Sequence, residues 1–171
     1  MIVILILLVI LSAYFSATET AFTSLNRIRL KSKADAGNRR AALALKLVDQ
    51  YNNLLSTILV GNNIVNLSAS SLATVFFTEG LRLQNGAVIS TVVITIVVLV
   101  FGEVSPKSLA KEYPESFAMF SAPIMRILMV ILTPVNFLFS LLKKLLSKVF
   151  HKQGDSGITE EELVTMVDQA E

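Results

Sequence analysis

Four stretches of this chain run with almost no charge. Residues 1–18 contain none, and the first eleven are unbroken Ile, Leu, Val and Met. A second uncharged run covers 50–78, between Asp49 and Glu79, and a third covers 83–102, between Arg82 and Glu103. A fourth, 116–142, is interrupted only by Arg126. A helix that crosses a bilayer needs about 20 predominantly apolar residues at a rise of about 1.5 Å each. The first three runs meet that length. In the fourth, Pro123 and Pro134 each remove a backbone donor and break a helical ladder. The pattern there predicts shorter, tilted or interfacial helices around the bundle, with a fourth crossing as the alternative. A helix over 139–150 follows, with Lys143, Lys144 and Lys148 on its water side.

Lysine and arginine set the orientation. Seven cations (Arg27, Arg29, Lys31, Lys33, Arg39, Arg40 and Lys46) separate the first two runs, and Arg82 alone separates the second from the third. The positive-inside rule therefore places the first loop in the cytoplasm and the N-terminus outside, and three crossings leave the C-terminus inside. The first run lacks the basic leader and small-residue cleavage motif of a signal peptide. Past the last apolar stretch, 153–157 reads as a flexible linker. Thr159 with Glu162 forms a capping-box pattern that opens a helix. That helix ends at Glu171 after about three turns and is marginal alone, so the expectation is a chain cut short of a cytosolic domain. The predicted organisation is all-α and integral to the membrane. Residues 1–150 are expected to form a membrane domain of three transmembrane helices plus juxtamembrane helices, and 151–171 a linker and the start of a cytosolic helical segment.

Composition agrees with this. Of 171 residues, 53% are hydrophobic and 16% charged, with a mean hydropathy of +0.65; soluble domains carry roughly 25% charged residues. Cysteine is absent, which excludes a disulfide scaffold, a thiolate metal site and cysteine nucleophile chemistry. The single histidine, His151, excludes a multi-histidine zinc site. A net charge of +2 does not describe a nucleic-acid binder. No enzymatic constellation is evident, and an enzyme is not expected.

The polar residues inside the spans carry the chemistry. Ser12, Ser16, Thr20 and Ser24 recur every four residues and share one helix face, flanked by Glu19. Asn62, Asn66 and Ser70 form a second such stripe, with Asn63 about 100° away. Gly102 ends the third run and Glu103 follows it. Small polar stripes also serve helix packing, and Glu19 has the alternative role of pairing with Arg27 or another cation of the basic loop. An acid at membrane depth is costly and marks an ion pathway or a pair.

Ser16, Asn62 and Glu103 all fall in the cytoplasmic half of the bilayer in this topology, at similar levels. Hydroxyl, amide and carboxylate oxygens are hard ligands, which suits Mg²⁺, Ca²⁺ or Na⁺ and disfavours zinc and copper. Pro106 has no N–H, so in an α-helix the carbonyl of Gly102 loses its donor. It must then find protein, water or a cation; a plain helix kink is the alternative.

Three motifs in order, Phe15-Ser16-Ala17-Thr18-Glu19-Thr20-Ala21, Gly61-Asn62-Asn63-Ile64-Val65-Asn66 and Phe101-Gly102-Glu103-Val104-Ser105-Pro106-Lys107, resemble the transmembrane domain of the CNNM/CorC family. The tail Ile158-Thr159-Glu160-Glu161-Glu162-Leu163 is similar to the start of that family's cytosolic segment. The resemblance implies a homodimeric, three-span magnesium transporter of the plasma or inner membrane, with a juxtamembrane helical belt. It implies Mg²⁺ export coupled to Na⁺ entry, and ATP binding only through a cytosolic CBS pair absent from this chain. Carried over by motif position, the ion site is Ser16, Asn62, Asn66, the Gly102 carbonyl and Glu103, with Pro106 as the helix kink.

Overall fold

A computed structural model describes residues 1–134. Every described element is helical. Helix α1 covers Ile2–Ser24, α2 Arg27–Asp35 and α3 Arg39–Asp49. Helix α4 runs over Tyr51–Val75 and continues into a π-helical turn, Phe76–Gly80. Helix α5, Gly86–Val97, passes through a second π-turn, Val98–Val104, into α6, Ser105–Glu112. Helix α7 covers Pro114–Ile131. Residues 1–133 pack as one unit. The helix expected over 139–150, the 153–157 linker, the capping-box helix at Thr159 and the boundary between 1–150 and 151–171 lie outside the described residues.

Local chemistry fixes the helix starts. The Asn26 side chain accepts from the backbone N–H groups of Ile28 and Arg29, and Asn38 does the same for Arg40 and Ala41. Two asparagine caps thus divide the basic loop into α2 and α3. Threonine hydroxyls within the spans return to the helix itself: Thr18, Thr74, Thr78 and Thr91 each donate to the carbonyl four residues earlier. This satisfies a polar group where water is scarce.

Four segments are long and apolar enough to cross a membrane: Ile2–Ser24, Tyr51–Gly80, Gly86–Glu112 and Pro114–Ile131. The first three are the expected spans. The fourth differs from the expectation, because α7 runs unbroken through Pro123 as a single helix. One face of α7 buries Ala118, Ser121, Ala122, Met125 and Met129. That packing offsets the one backbone bond that Pro123 removes. The Tyr14 hydroxyl donates to the Ser121 carbonyl at 3.3 Å, and the Asn26 N–H donates to Glu115 Oε1 at 3.2 Å, so α7 leans along α1.

Large apolar side chains cover the outside: Val3, Leu67, Val88, Val92, Ile127 and Val130 are each more than half exposed. The interior is built mostly from small residues. Ala17, Ala21, Ala41, Ala44, Ala110, Ala118 and Ala122 surround Phe15, Phe22, Leu30, Leu54, Ile58 and Met125 in the main core. A second, slimmer cluster holds Ala69, Ala73 and Ile94 between α4 and α5. Hydrocarbon supplies no hydrophobic drive between helices, so close backbone approach and dispersion must hold them together. Gly61 marks the tightest approach. A Cβ placed there would lie 2.4 Å from Phe15 Cζ, so the aromatic ring rests on the glycine backbone.

Candidate metal centre

Helices α1, α4 and the Val98–Val104 π-turn meet around the polar stripes. On α1, Ser12 and Ser16 are both buried. The Ser12 hydroxyl donates to Asn62 Oδ1 on α4 at 3.4 Å. It also lies 2.9 Å from where a Cβ on Gly102 would stand, so the third span presses its bare backbone against Ser12. One turn along α4, Asn66 Nδ2 donates to Glu103 Oε1 at 3.4 Å. Asn63, on the neighbouring face, is exposed.

Five of the expected residues thus stand on three elements that touch, linked as Ser12–Asn62, Ser12–Gly102 and Asn66–Glu103, with Ser16 one turn from Ser12. Among the described residues, three buried side-chain oxygens have no hydrogen-bond partner: Ser16 Oγ, Asn66 Oδ1 and Ser90 Oγ. Two of them belong to the expected ligand set. An unpartnered buried oxygen costs about 1–3 kcal/mol, and a hard cation between these helices would relieve it. Among the described residues, no cluster of three or more His, Asp or Glu side chains forms. The expected residues offer one carboxylate, Glu103, with neutral oxygens.

The π-turn changes the account of Pro106. The Ser105 N–H donates to the Val100 carbonyl, five residues back. In an α-helix it would serve Phe101. The next donor for Phe101 is residue 106, a proline, so Phe101 as well as Gly102 is deprived of its usual partner. Sequence reasoning considered only the α register and saw one freed carbonyl.

The acid on α1 also finds a different partner from those expected. Glu19 Oε2 lies 3.2 Å from Lys107 Nζ, whereas Arg27 pairs with Asp49. Glu19 follows Ser16 by three residues and Lys107 follows Glu103 by four, so the pair bridges α1 and α6 one turn below the candidate ligands. Beside the site, between α4 and the α5–π-turn rod, lies an open groove of about 230 Å³ lined by Asn66, Ser70, Ile94, Thr95, Val98, Leu99 and Glu103. Ser12, which touches both Asn62 and Gly102, was not among the expected ligands; its signal was its place one turn before Ser16.

Residues 2–171 match the family model described as the cyclin M transmembrane N-terminal domain. A UPF0053 protein of Haemophilus influenzae is 40% identical over 98% of this chain and 40% of its own length. The UPF0053 inner membrane protein YfjD of Escherichia coli is 39% identical over 94% of this chain and 38% of its own length. A chloroplastic DUF21 domain-containing protein of Arabidopsis thaliana is 31% identical over 98% of this chain and 26% of its own length. The chain thus spans at most about 40% of the length of these relatives.

Proposed function

Because the chain belongs to the cyclin M (CNNM) transmembrane family, we propose that this multi-pass membrane domain exports Mg²⁺ from the cytoplasm in exchange for Na⁺. Its cation site is formed by Ser16, Asn62, Asn66, the Gly102 carbonyl and Glu103. The observation that carries this reading is the pair of buried, partnerless oxygens, Ser16 Oγ and Asn66 Oδ1, on two helices that meet beside a carboxylate.

Mg²⁺ demands near-octahedral oxygen geometry and gives up water reluctantly. No single helix presents enough oxygens at that spacing, which is why the donors come from three elements. Glu103 supplies the one negative charge and neutral oxygens the rest. The site with its ion stays net positive, so the ion is not held irreversibly. With the N-terminus outside and the basic α2–α3 segment in the cytoplasm, the Glu19–Lys107 pair stands on the cytoplasmic side of the site, where the ion enters. Rearrangement about Pro106 and the π-turn then exposes the ion outward. The working unit is a homodimer in the inner or plasma membrane, and nucleotide control resides in a cytosolic CBS pair beyond these residues.

The test is Mg²⁺ flux into or out of liposomes that contain the purified full-length protein alone, with and without an opposing Na⁺ gradient. Flux that follows the Na⁺ gradient and disappears in Glu103→Gln is the expected result. Mg²⁺ binding without flux would make the protein a sensor rather than a carrier. Absence of binding would reduce the domain to a membrane anchor.

A further inference from the structure

The groove beside the candidate site has a composition that the ligand set leaves unused. The hydrogen-bonded Asn66–Glu103 pair lines it together with Ile94, Val98 and Leu99. Ser70 and Thr95 bring two hydroxyls from facing helices. Most span threonines bond back to the carbonyl four residues earlier. Among the described residues, the Ser70 and Thr95 hydroxyls make no such bond and no other side-chain hydrogen bond, so both can serve something in the groove. Helices α4 and α5 run in opposite directions. Yet Ser70 lies one turn beyond Asn66 and Thr95 about two turns before Glu103, so both hydroxyls fall on the same side of the carboxylate. In the orientation proposed above, that is the extracellular side.

The open groove, about 230 Å³, has room for a divalent ion that keeps its first water shell. Groups facing hydrocarbon unpaired are costly, so an acyl chain is a poor filling against two hydroxyls, an amide and a carboxylate. Resting on the reading of the chain as a Mg²⁺ carrier, we propose that this groove is an outer-sphere subsite. It holds the divalent cation with its water shell, through Ser70, Thr95, Asn66 and Glu103, next to the inner site that strips that shell. Glu103 and Asn66 belong to both positions. The ion therefore changes hydration state by moving past one carboxylate, without meeting bare hydrocarbon between the two.

Hexaamminecobalt(III) separates the two positions. It has the size and hydrogen-bonding surface of hydrated Mg²⁺ and does not release its ligands, so it fits the groove and not the inner site. With full-length protein in calorimetry, the wild type should bind it. The Ser70→Ala/Thr95→Val double variant should bind about tenfold more weakly, and each single variant about threefold. Asn62→Ala, which alters only the inner site, should bind it as the wild type does. Mg²⁺ affinity at the inner site should persist in the double variant, which also reports that it is folded. Equal hexaamminecobalt binding by wild type and double variant, or none by either, overturns the subsite while intact Mg²⁺ binding leaves the carrier reading standing. Loss of Mg²⁺ binding by the wild type itself overturns both.

Discussion

Substituting Gly102 by alanine tests whether the third span must lie bare against Ser12. The added Cβ would stand 2.9 Å from Ser12 Oγ and 3.3 Å from Ser12 Cβ, both inside ordinary contact distance. Either the helices part or the Ser12 hydroxyl rotates away from Asn62 Oδ1, where it donates at 3.4 Å. Overpacking of this kind costs about 1–3 kcal/mol, and a lost hydrogen bond about 0.5–1.5 kcal/mol. If half of that falls on the cation-bound state, affinity drops about tenfold, since about 1.4 kcal/mol corresponds to one decade. Mg²⁺ titration calorimetry of the full-length protein, paired with thermal melting, reads both parts. The control is Ser12→Ala. Alone it should weaken binding by freeing Asn62 to turn. Combined with Gly102→Ala it should recover part of the loss, because the atom that the new Cβ meets first is gone. A coupling of about 0.5–3 kcal/mol between the two positions is the signature of contact. Gly102→Ala with wild-type affinity, or strictly additive effects, would refute the reasoning.

Glu103→Gln should lose more Mg²⁺ affinity than Asn62→Ala or Asn66→Ala, since it removes the one charged ligand and charge-assisted contacts are the stronger ones; calorimetry on the three side by side checks the order. Pro106→Ala supplies the missing N–H, so the third span should melt no earlier while Mg²⁺ affinity falls; wild-type affinity in the folded variant would mean that neither deprived carbonyl serves the ion. Glu19→Gln should change stability by no more than about 1 kcal/mol, because the Lys107 pair is partly exposed; a larger loss on thermal melting would mark Glu19 as structural. Cysteines introduced singly at Asn38 and Asn85 of this cysteine-free sequence should label oppositely with an impermeant maleimide in intact cells, position 85 reacting and position 38 protected.

What could be read from the sequence was whatever depends on spacing along one helix. The three charge-free runs predicted α1, α4 and the α5–α6 rod, and the four-residue stripes placed Ser12 with Ser16 and Asn62 with Asn66 on shared helix faces before any packing was known. What depends on a neighbour was hidden. Lys107 as the partner of Glu19 requires knowing that α6 lies against α1; proximity in sequence suggested the basic loop instead. The π register before Pro106 leaves no pattern in the sequence, so the turn of the Ser105 N–H to Val100 and away from Phe101 was not foreseen. Pro123 argued for a break in α7, and tertiary packing of Ala118, Ala122 and Met125 overrode it. Ser12 stood on the right face, but its contact with Gly102 exists only because two helices touch.

The seating of Phe15 on Gly61 ties together two positions that are 46 residues apart in sequence. Neither can change size alone: a methyl at 61 needs a smaller side chain at 15, and a smaller side chain at 15 leaves a void over 61. Each residue therefore sets the substitutions open to the other. Across the descendants of a common ancestor these two sites should drift as a pair, with compensated exchanges outnumbering single ones. A library randomised at both positions and selected for folded protein would return the same correlation within one experiment.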